Sequence, residues 1–360
     1  MELLTNAILH LPEYRTVSDA VRFGRVPGCV TGVAGVHKAH LISALCEEHG
    51  GRALVLTGDE AEAQRLCEDL TALGLCALFY PYREFAFRDV ESASREYEHQ
   101  RLGVLMSLLS GTCDVVVSCV DAALQFTMPP AELKKRFVTV RPGERVSMEQ
   151  LEGALLSAGY QRAEQVDGPG QFAQRGGILD FFTPGAPAPV RVEFWGDEID
   201  TASYFELESQ RRTELVEELL ISPATEAPVS DPQGLAAKID ALAASLRSKQ
   251  ANLARPVLAA EAEKLREGRE LHCADKYLSL LYEKPASLLD YAENAMFFVS
   301  EYAKVKERCR SAAWQYGSNM KDGSIGKISE NRFARADLEH IPVSYTHLTH
   351  ECSLRDEGQI

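Results

Sequence analysis

The chain has 360 residues, of which 45% are hydrophobic and 25% are charged, a composition that excludes a fully disordered chain and a collagen-like repeat. Its 38 Lys and Arg against 53 Asp and Glu give a formal charge of −15. This balance argues against a free-standing nucleic-acid binder, because an acidic surface repels phosphate. At roughly 150 residues per domain, two or three domains are expected.

The first eleven residues lack the basic region and the small-residue cleavage site of a signal peptide. No apolar run approaches the roughly 20 residues needed to span a bilayer. Nine cysteines are scattered without a CxxC pair, as expected for reduced and mostly buried thiols. We therefore predict a cytoplasmic protein that does not contact a membrane.

Residues 29–140 alternate short β-branched runs with helical stretches, the pattern of a parallel sheet covered by helices. The predicted strands are Cys29–Thr31, Ala53–Thr57, Leu75–Tyr80, Val115–Cys119 and Phe137–Val140. The predicted helices are Lys38–Glu48, Ala61–Leu73, Glu96–Leu109 and Ser147–Ala158, the last opened by a Ser147/Gln150 capping box. We expect an α/β domain over residues 1–155.

Between Tyr160 and Pro223, short strands and tight Gly- and Pro-containing turns replace the helices. The runs predicted as antiparallel strands are Gly177–Phe182, Val190–Trp195 and Ile199–Phe205. We expect a small inserted β-rich domain over residues 156–225, and a helical linker and return segment of the first unit over 226–342.

Residues 343–360 follow no periodicity, and we interpret them as an unrelated or artefactual tail. The spacing of His347, His350 and Cys352 in this tail matches no standard zinc site, so no metal site is predicted.

The first predicted strand runs into a loop that resembles the phosphate-binding pattern GxxxxGK[ST]. Gly32 and Lys38 occupy the first glycine and the lysine, with Gly35 between them. His37 replaces the second glycine, where a Cβ crowds the backbone that must wrap the phosphate. We interpret the loop as vestigial; a chance match and a working ATPase are the alternatives.

Both groups that would hold Mg²⁺ in a working ATPase are missing. Ala39 stands at the Ser/Thr position that ligates the metal. At the end of the buried run Met296–Val299, the expected Asp-Glu pair is Ser300-Glu301. Two independent losses point to an absence of catalysis, so we assign no catalytic residue.

Arginines lie among aromatic residues in the β-rich segment. The aromatics are Phe172, Phe181, Phe182, Phe194 and Trp195. A small β domain needs one apolar face, so some of them should lie outside the core, beside Arg162 and Arg175. This composition is typical of protein-binding hot spots. The alternative is a small core with solvated arginines, which we favour for Arg191 because alternation sets it opposite Val190 and Val192.

The segment Tyr80–Phe85 has two interpretations. It could be a DNA-facing aromatic loop, or a hydrophobic plug for the edge of the sheet, which we favour.

Together these motifs resemble the N-terminal, UvrB-like module of bacterial transcription-repair coupling factors, over roughly residues 10–310. The resemblance is strongest in Thr31–Ala39, Phe79–Glu84, Arg175–Phe182, Arg191–Asp200 and Ser209–Arg212. It implies a RecA-like, P-loop-type parallel sheet with a degenerate nucleotide site, plus an inserted α+β UvrB-interaction domain.

The resemblance also implies a function. In UvrB the inserted domain binds UvrA through arginines and an aromatic, and the matching positions here are Arg162, Phe172 and Arg175, with Phe181 nearby. The chain would then be an N-terminal fragment that recruits UvrA to RNA polymerase stalled at DNA lesions, with no cofactor of its own.

The parent protein would be an ATP-dependent DNA translocase. The resemblance assigns RNA polymerase binding, DNA binding and ATP with Mg²⁺ to downstream domains, and adds an intramolecular contact with a C-terminal domain. The alternative is a UvrB-like ATP-dependent repair enzyme. Ala39 and Ser300 argue against it, and so does the stretch between Pro81 and Glu98, which is too short for the DNA-clamping hairpin of UvrB.

Overall fold

The computed structural model describes residues 7–25, 27–83, 94–246, 251–319 and 345–348. The α-helices are α1 (Pro12–Arg22), α2 (Val36–His49), α3 (Glu60–Ala72), α4 (Glu96–Ser110), α5 (Val120–Ala123), α6 (Pro130–Lys135), α7 (Met148–Ser157), α8 (Pro232–Ser245), α9 (Ala251–Arg266), α10 (Leu278–Leu281) and α11 (Tyr302–Asn319). Short 3₁₀ helices span Ala274–Tyr277 and Leu288–Tyr291.

The strands of the described residues fall into three sheets. They are β1 (Gly28–Val30), β2 (Ala53–Thr57), β3 (Ala77–Tyr80), β4 (Val115–Cys119), β5 (Val138–Val140), β6 (Gln161–Arg162), β7 (Gln171–Arg175), β8 (Ile178–Phe181), β9 (Val190–Trp195), β10 (Glu198–Phe205), β11 (Arg212–Leu215), β12 (Leu219–Ile221), β13 (Met296–Ser300) and β14 (Tyr345–Leu348).

The first unit is a three-layer α/β structure. Its sheet has the order β1-β14-β13-β2-β4-β3, and every neighbouring pair is parallel. The strands β2 and β4 are buried along their whole length, which explains their uninterrupted apolar sequence. Helices α1, α2 and α3 cover one face, and α4, α8 and α9 cover the other. The predicted RecA-like α/β class is confirmed.

The last strand predicted for this sheet lies elsewhere. Val138–Val140 pairs antiparallel with β12, at the base of the inserted unit. Helix α7 begins with the predicted capping box of Ser147 and Gln150, and its Leu151 and Leu155 pack into the core of the inserted unit. The inserted unit therefore begins at β5, before residue 156, because α7 is the helix that covers its sheet.

The inserted sheet has the order β11-β10-β9-β8-β7-β6, antiparallel except for the parallel pair β6–β7. Val190 and Val192 face α7 and are buried, whereas Arg191 lies on the opposite face, as the alternation predicts. One face of the sheet is thus covered by a helix.

The two units meet backbone to backbone at Gly103 and Gly185. A Cβ on Gly103 would lie 2.9 Å from the Cα of Gly185, and a Cβ on Gly185 would lie 2.6 Å from the Cα of Gly103. Gly185 also has a φ of +81°, a conformation that other residues adopt at a cost. These glycines allow the inserted unit to lie directly against α4.

Within the predicted tail, β14 lies between β1 and β13 in the parallel sheet. The rest of residues 343–360, including His350 and Cys352, lies outside the described residues. In the described ranges, no group of three or more His, Cys, Asp or Glu side chains is placed to hold a metal ion. No helix within those ranges is both long and apolar enough to cross a bilayer.

Candidate functional site

The degenerate loop connects β1 to α2, in the strand–loop–helix context of a phosphate-binding loop. Gly32 has a φ of +77° and Gly35, the residue before α2, has a φ of +47°. Glycine adopts these left-handed conformations without the steric penalty that a side chain brings. The loop therefore keeps the local geometry for which its glycines are suited.

Lys38, the lysine of the motif, is buried and bound by the protein itself. Its Nζ donates to Ser300 Oγ over 2.9 Å and to Glu301 Oε1 over 2.6 Å. Glu62 Oε1 lies 3.6 Å from the same nitrogen and accepts a 2.6 Å hydrogen bond from the Ser300 hydroxyl. Two carboxylates thus surround the ammonium group that would bind a phosphate.

The residues around Lys38 do not fit a magnesium nucleotide. Ala39 is fully buried and packs into the apolar layer beneath α2, so its methyl offers no ligand to a metal. The Ser300 hydroxyl is already engaged with Lys38 and Glu62. Glu62 and Glu301 would repel phosphate. The sequence places Glu301 at the acidic position expected beside the loop, whereas Glu62 joins the loop only in the fold.

Phe172 and Phe181, two of the predicted UvrA-binding residues, lie in the core of the inserted unit. They pair across β7 and β8 and have no exposed surface. Alternation along both strands turns these rings toward α7, so they support the domain from inside and offer no contact to a partner.

Arg162 lies on β6, on the face covered by α7, with 54% of its side chain exposed. It forms an ion pair with Glu152 of α7, and its Nη2 lies 3.4 Å from Gln174 Oε1. The guanidinium also lies 5.5 Å from the centre of the Phe172 ring. Arg162 is accessible, but its charge is already paired.

Arg175 ends β7 on the opposite face of the sheet. Its Nη2 donates to the backbone oxygen of Glu164 over 3.1 Å and lies 3.5 Å from Gln165 Oε1. Within the described part of the chain no carboxylate is recorded within ion-pair distance of this exposed guanidinium. Its charge is therefore available to a carboxylate from outside.

Arg191 differs from its expected solvated state. It is half-buried and forms a two-pronged ion pair with Asp180, with both N–O distances at 2.7 Å, and it donates to the backbone oxygen of Gln210 over 3.1 Å. The pair forms because Asp180 lies directly opposite on β8. Arg191 therefore holds the sheet together.

The aromatic that does lie outside the core is Trp195, which is 85% exposed. Its composition alone does not distinguish it from the other aromatics of this segment. The alternation along β9 carries the signal. Val190, Val192 and Phe194 face α7, so Trp195, the next residue after Phe194, lies on the other face.

A buried ionic network joins the inserted unit to the first unit. Arg101 of α4 and Glu226 are both fully buried, with Arg101 Nε 2.7 Å from Glu226 Oε1. Arg101 Nη1 donates to Gln125 Oε1 over 2.9 Å, and its guanidinium lies 4.2 Å from the centre of the Tyr80 ring. Arg83 Nη1 approaches Glu226 Oε1 at 3.4 Å. Because Glu226 comes shortly after β12, the last strand of the inserted unit, this network fixes the position at which the chain leaves that unit.

The same network includes part of the segment Tyr80–Phe85. Tyr80 and Arg83 are buried, which agrees with a plug at the edge of the sheet, although the buried Arg83 makes this part ionic as well as hydrophobic. Glu84 and Phe85 lie outside the described residues.

Glu98 of α4 should make the free energy of unfolding decrease as the solution becomes acidic. Burial alone would raise its pKa, but Arg95, Arg83 and hydrogen bonds from Glu226 N–H and the Thr225 hydroxyl outweigh burial and lower the pKa from about 4.5 to about 2. A depressed carboxyl pKa stabilises the fold above the unfolded pKa, and this contribution is lost as the pH falls from about 5 toward 2.

We therefore expect Glu98→Gln to be less stable than wild type at pH 7, by up to about 3 kcal/mol. That gap should narrow as the pH falls to 3, and urea denaturation of both proteins at pH 7, 5 and 3 measures it. A gap that stays constant over this range would show that Glu98 does not titrate as described.

The fold and the two sites define a class of protein: an α/β unit whose loop lysine is paired internally, carrying an inserted β-rich domain with an exposed arginine. A family model described as "UvrB interaction domain" matches residues 138–226. That range runs from the first residue of β5 to Glu226, and coincides with the inserted unit of the structure.

Curated relatives that match most of the chain include transcription-repair-coupling factors. The protein from Bacillus subtilis (strain 168) is 32% identical over 318 residues, which cover 85% of this chain and 27% of the relative. Those from Staphylococcus aureus strains MRSA252 and USA300 are 24% identical over 366 residues, covering 96% of this chain and 31% of each relative. These matches confirm the resemblance: over most of its length the chain is similar to part of the transcription-repair-coupling factors, a DNA-repair family, and it carries a UvrB interaction domain.

Proposed function

We propose that this chain is a recruitment module that binds UvrA through its inserted domain and brings it to RNA polymerase stalled at DNA lesions. The observation that most supports this proposal is the environment of Arg175. This arginine lies exposed on a UvrB interaction domain, and among the described residues no carboxylate of the chain lies within ion-pair distance of it. An arginine in this state can pair bidentately with a carboxylate of a partner.

The other predicted contact residues take different parts in this proposal. Arg162 is accessible at the edge strand β6, so it adds a second, weaker contact, because Glu152 already neutralises its charge. Phe172 and Phe181 hold the sheet beneath the arginines from within the core. The two arginines are thus the predicted contact residues that remain. Arg162 lies on β6 and Arg175 on β7, on opposite faces of the inserted sheet.

The chain spans less than a third of the length of the curated relatives cited above. We propose that binding to RNA polymerase and DNA, translocation, and the use of ATP and Mg²⁺ belong to other parts of such proteins. An intramolecular contact with a C-terminal domain of the full-length protein is part of the same proposal. Copurification of UvrA with the chain at physiological salt tests recruitment, and a chain that retains no UvrA would contradict it.

We expect no useful ATP hydrolysis by this chain. Ala39 supplies no metal ligand and Lys38 is held by Glu301 and Ser300, so the groups that stabilise phosphoryl transfer are absent or occupied. Phosphate release, measured with and without duplex DNA, should stay far below the roughly 1 s⁻¹ at the low end of typical enzymes.

Lys38→Ala is the control for contaminating activity, because a residual signal from another protein should be equal in both preparations. A DNA-stimulated turnover of about 1 s⁻¹ that Lys38→Ala abolishes would restore the alternative, a UvrB-like ATP-dependent repair enzyme.

A further inference from the structure

Trp195 is an unusual side chain for a folded surface. At 85% exposure it is the most exposed large hydrophobic residue in the described ranges. It ends β9 and pairs with Glu198 across the tight turn at Gly196 and Asp197, so its backbone is held by the sheet. A large aromatic that stays in water on a rigid strand indicates a contact surface, because its burial by a partner costs little ordering entropy.

Strand register places Trp195 on the same face as Arg175. Arg175 pairs with Ile178, and Ile178 pairs with Glu193, so these three side chains lie on one face. Trp195 is two residues beyond Glu193 on β9 and therefore shares that face. The indole and the guanidinium lie near the ends of neighbouring hairpins, on the face opposite α7, part of which is covered by a small cluster around Val166, Ala173 and Phe205.

The charges on this face leave Arg175 able to bind a carboxylate of a partner close to Trp195. Glu193, the carboxylate between them in the register, forms an ion pair with Arg212, and Asp180 is bound by Arg191. Among the described residues, no carboxylate lies within ion-pair distance of Arg175, in contrast to Arg191 and Arg212. A fitting partner surface has an apolar pocket for the indole, bordered by a carboxylate for Arg175.

We infer that Trp195 is the apolar anchor of the UvrA contact, and that the ion pair of Arg175 fixes its orientation. This inference rests on the function proposed above and adds the residue that supplies most of the apolar contact. Buried aromatic anchors beside arginine dominate the binding energy of many interfaces, whereas their neighbours contribute little.

The test is a titration of UvrA against the full chain by biolayer interferometry, for wild type, Trp195→Ala and Trp195→Phe. We expect Trp195→Ala to weaken binding by at least about 30-fold. Trp195→Phe keeps an aromatic ring and should stay within about five-fold of wild type. The matched control is Leu156→Ala on α7, a 52% exposed apolar residue on the covered side of the sheet, which should change affinity by less than about two-fold.

The outcomes separate this inference from the proposed function. If Trp195→Ala binds like wild type while Arg175→Ala is weakened, Trp195 is not the anchor and the UvrA-binding function stands. If Leu156→Ala loses as much affinity as Trp195→Ala, the effect is not specific to this face, and the inference fails. If wild type does not bind UvrA, the proposed function and the inference both fail.

Discussion

Replacing Arg101 with alanine should lower the free energy of unfolding by about 3–5 kcal/mol. The substitution removes the two-pronged partner of Glu226, a carboxylate with no solvent access. It also removes the donor to Gln125 Oε1 and the cation over the Tyr80 ring. The loss is large because a buried charge that has lost a partner cannot recover its hydration.

Urea denaturation followed by far-ultraviolet circular dichroism measures this change. The control is Arg266→Ala, which breaks an exposed pair with Asp240 and should cost no more than about 1 kcal/mol. Arg101→Lys retains the charge without the fork and should fall between the two. Equal free energies of unfolding for Arg101→Ala and Arg266→Ala would show that the buried network does not stabilise the junction between the two units.

Arg175→Ala should weaken UvrA binding by about 2–5 kcal/mol, which is roughly 30-fold to several-thousand-fold in Kd. The cause is the carboxylate of the partner, which would be desolvated at the interface without its cation. Arg162→Ala should cost less than about 1 kcal/mol, because the guanidinium is half-exposed and already paired with Glu152.

Two variants make this comparison specific. Arg175→Lys keeps the charge but loses the planar fork, so its affinity should lie between those of wild type and Arg175→Ala. Arg141→Ala removes an arginine that is 50% exposed and pairs with Glu218, outside the proposed face, and it should bind like wild type. Equal losses for Arg175→Ala and Arg141→Ala would indicate a general charge effect and contradict the assigned contact.

The parts of the fold that the sequence predicts well are those specified by local pattern. Ala53–Thr57, Val115–Cys119 and Val190–Trp195 have the predicted bounds, because continuous or alternating apolar runs define their burial. The helix after Ser147 was predictable because its capping box is a local signal.

The features that sequence reasoning missed depend on residues far apart in the chain. Val138–Val140 has the composition of a strand, but its partner β12 follows the whole inserted sheet, so its sheet could not be assigned. Lys38 meets Glu301 only when β13 joins the parallel sheet. No periodicity within one segment encodes such contacts.

Face assignment was the other limit. Phe172 and Trp195 are both aromatics in short strands, yet one is fully buried and the other is 85% exposed. Which face of a strand is buried depends on where α7 packs, and that choice is made by the tertiary structure. The sequence alone therefore does not distinguish the buried rings of Phe172 and Phe181 from the exposed ring of Trp195.

The central claim is that this chain binds UvrA through the open face of its inserted domain without using a nucleotide. An isothermal titration of UvrA with the full chain tests it, run at physiological salt for wild type, Arg175→Ala and Lys38→Ala, each with and without ATP. We predict saturable binding by wild type, a loss of at least about 30-fold in Arg175→Ala, and an effect of ATP on Kd that is the same in wild type and Lys38→Ala. Wild type that shows no saturable binding, or Arg175→Ala that binds as tightly as wild type, would contradict the claim.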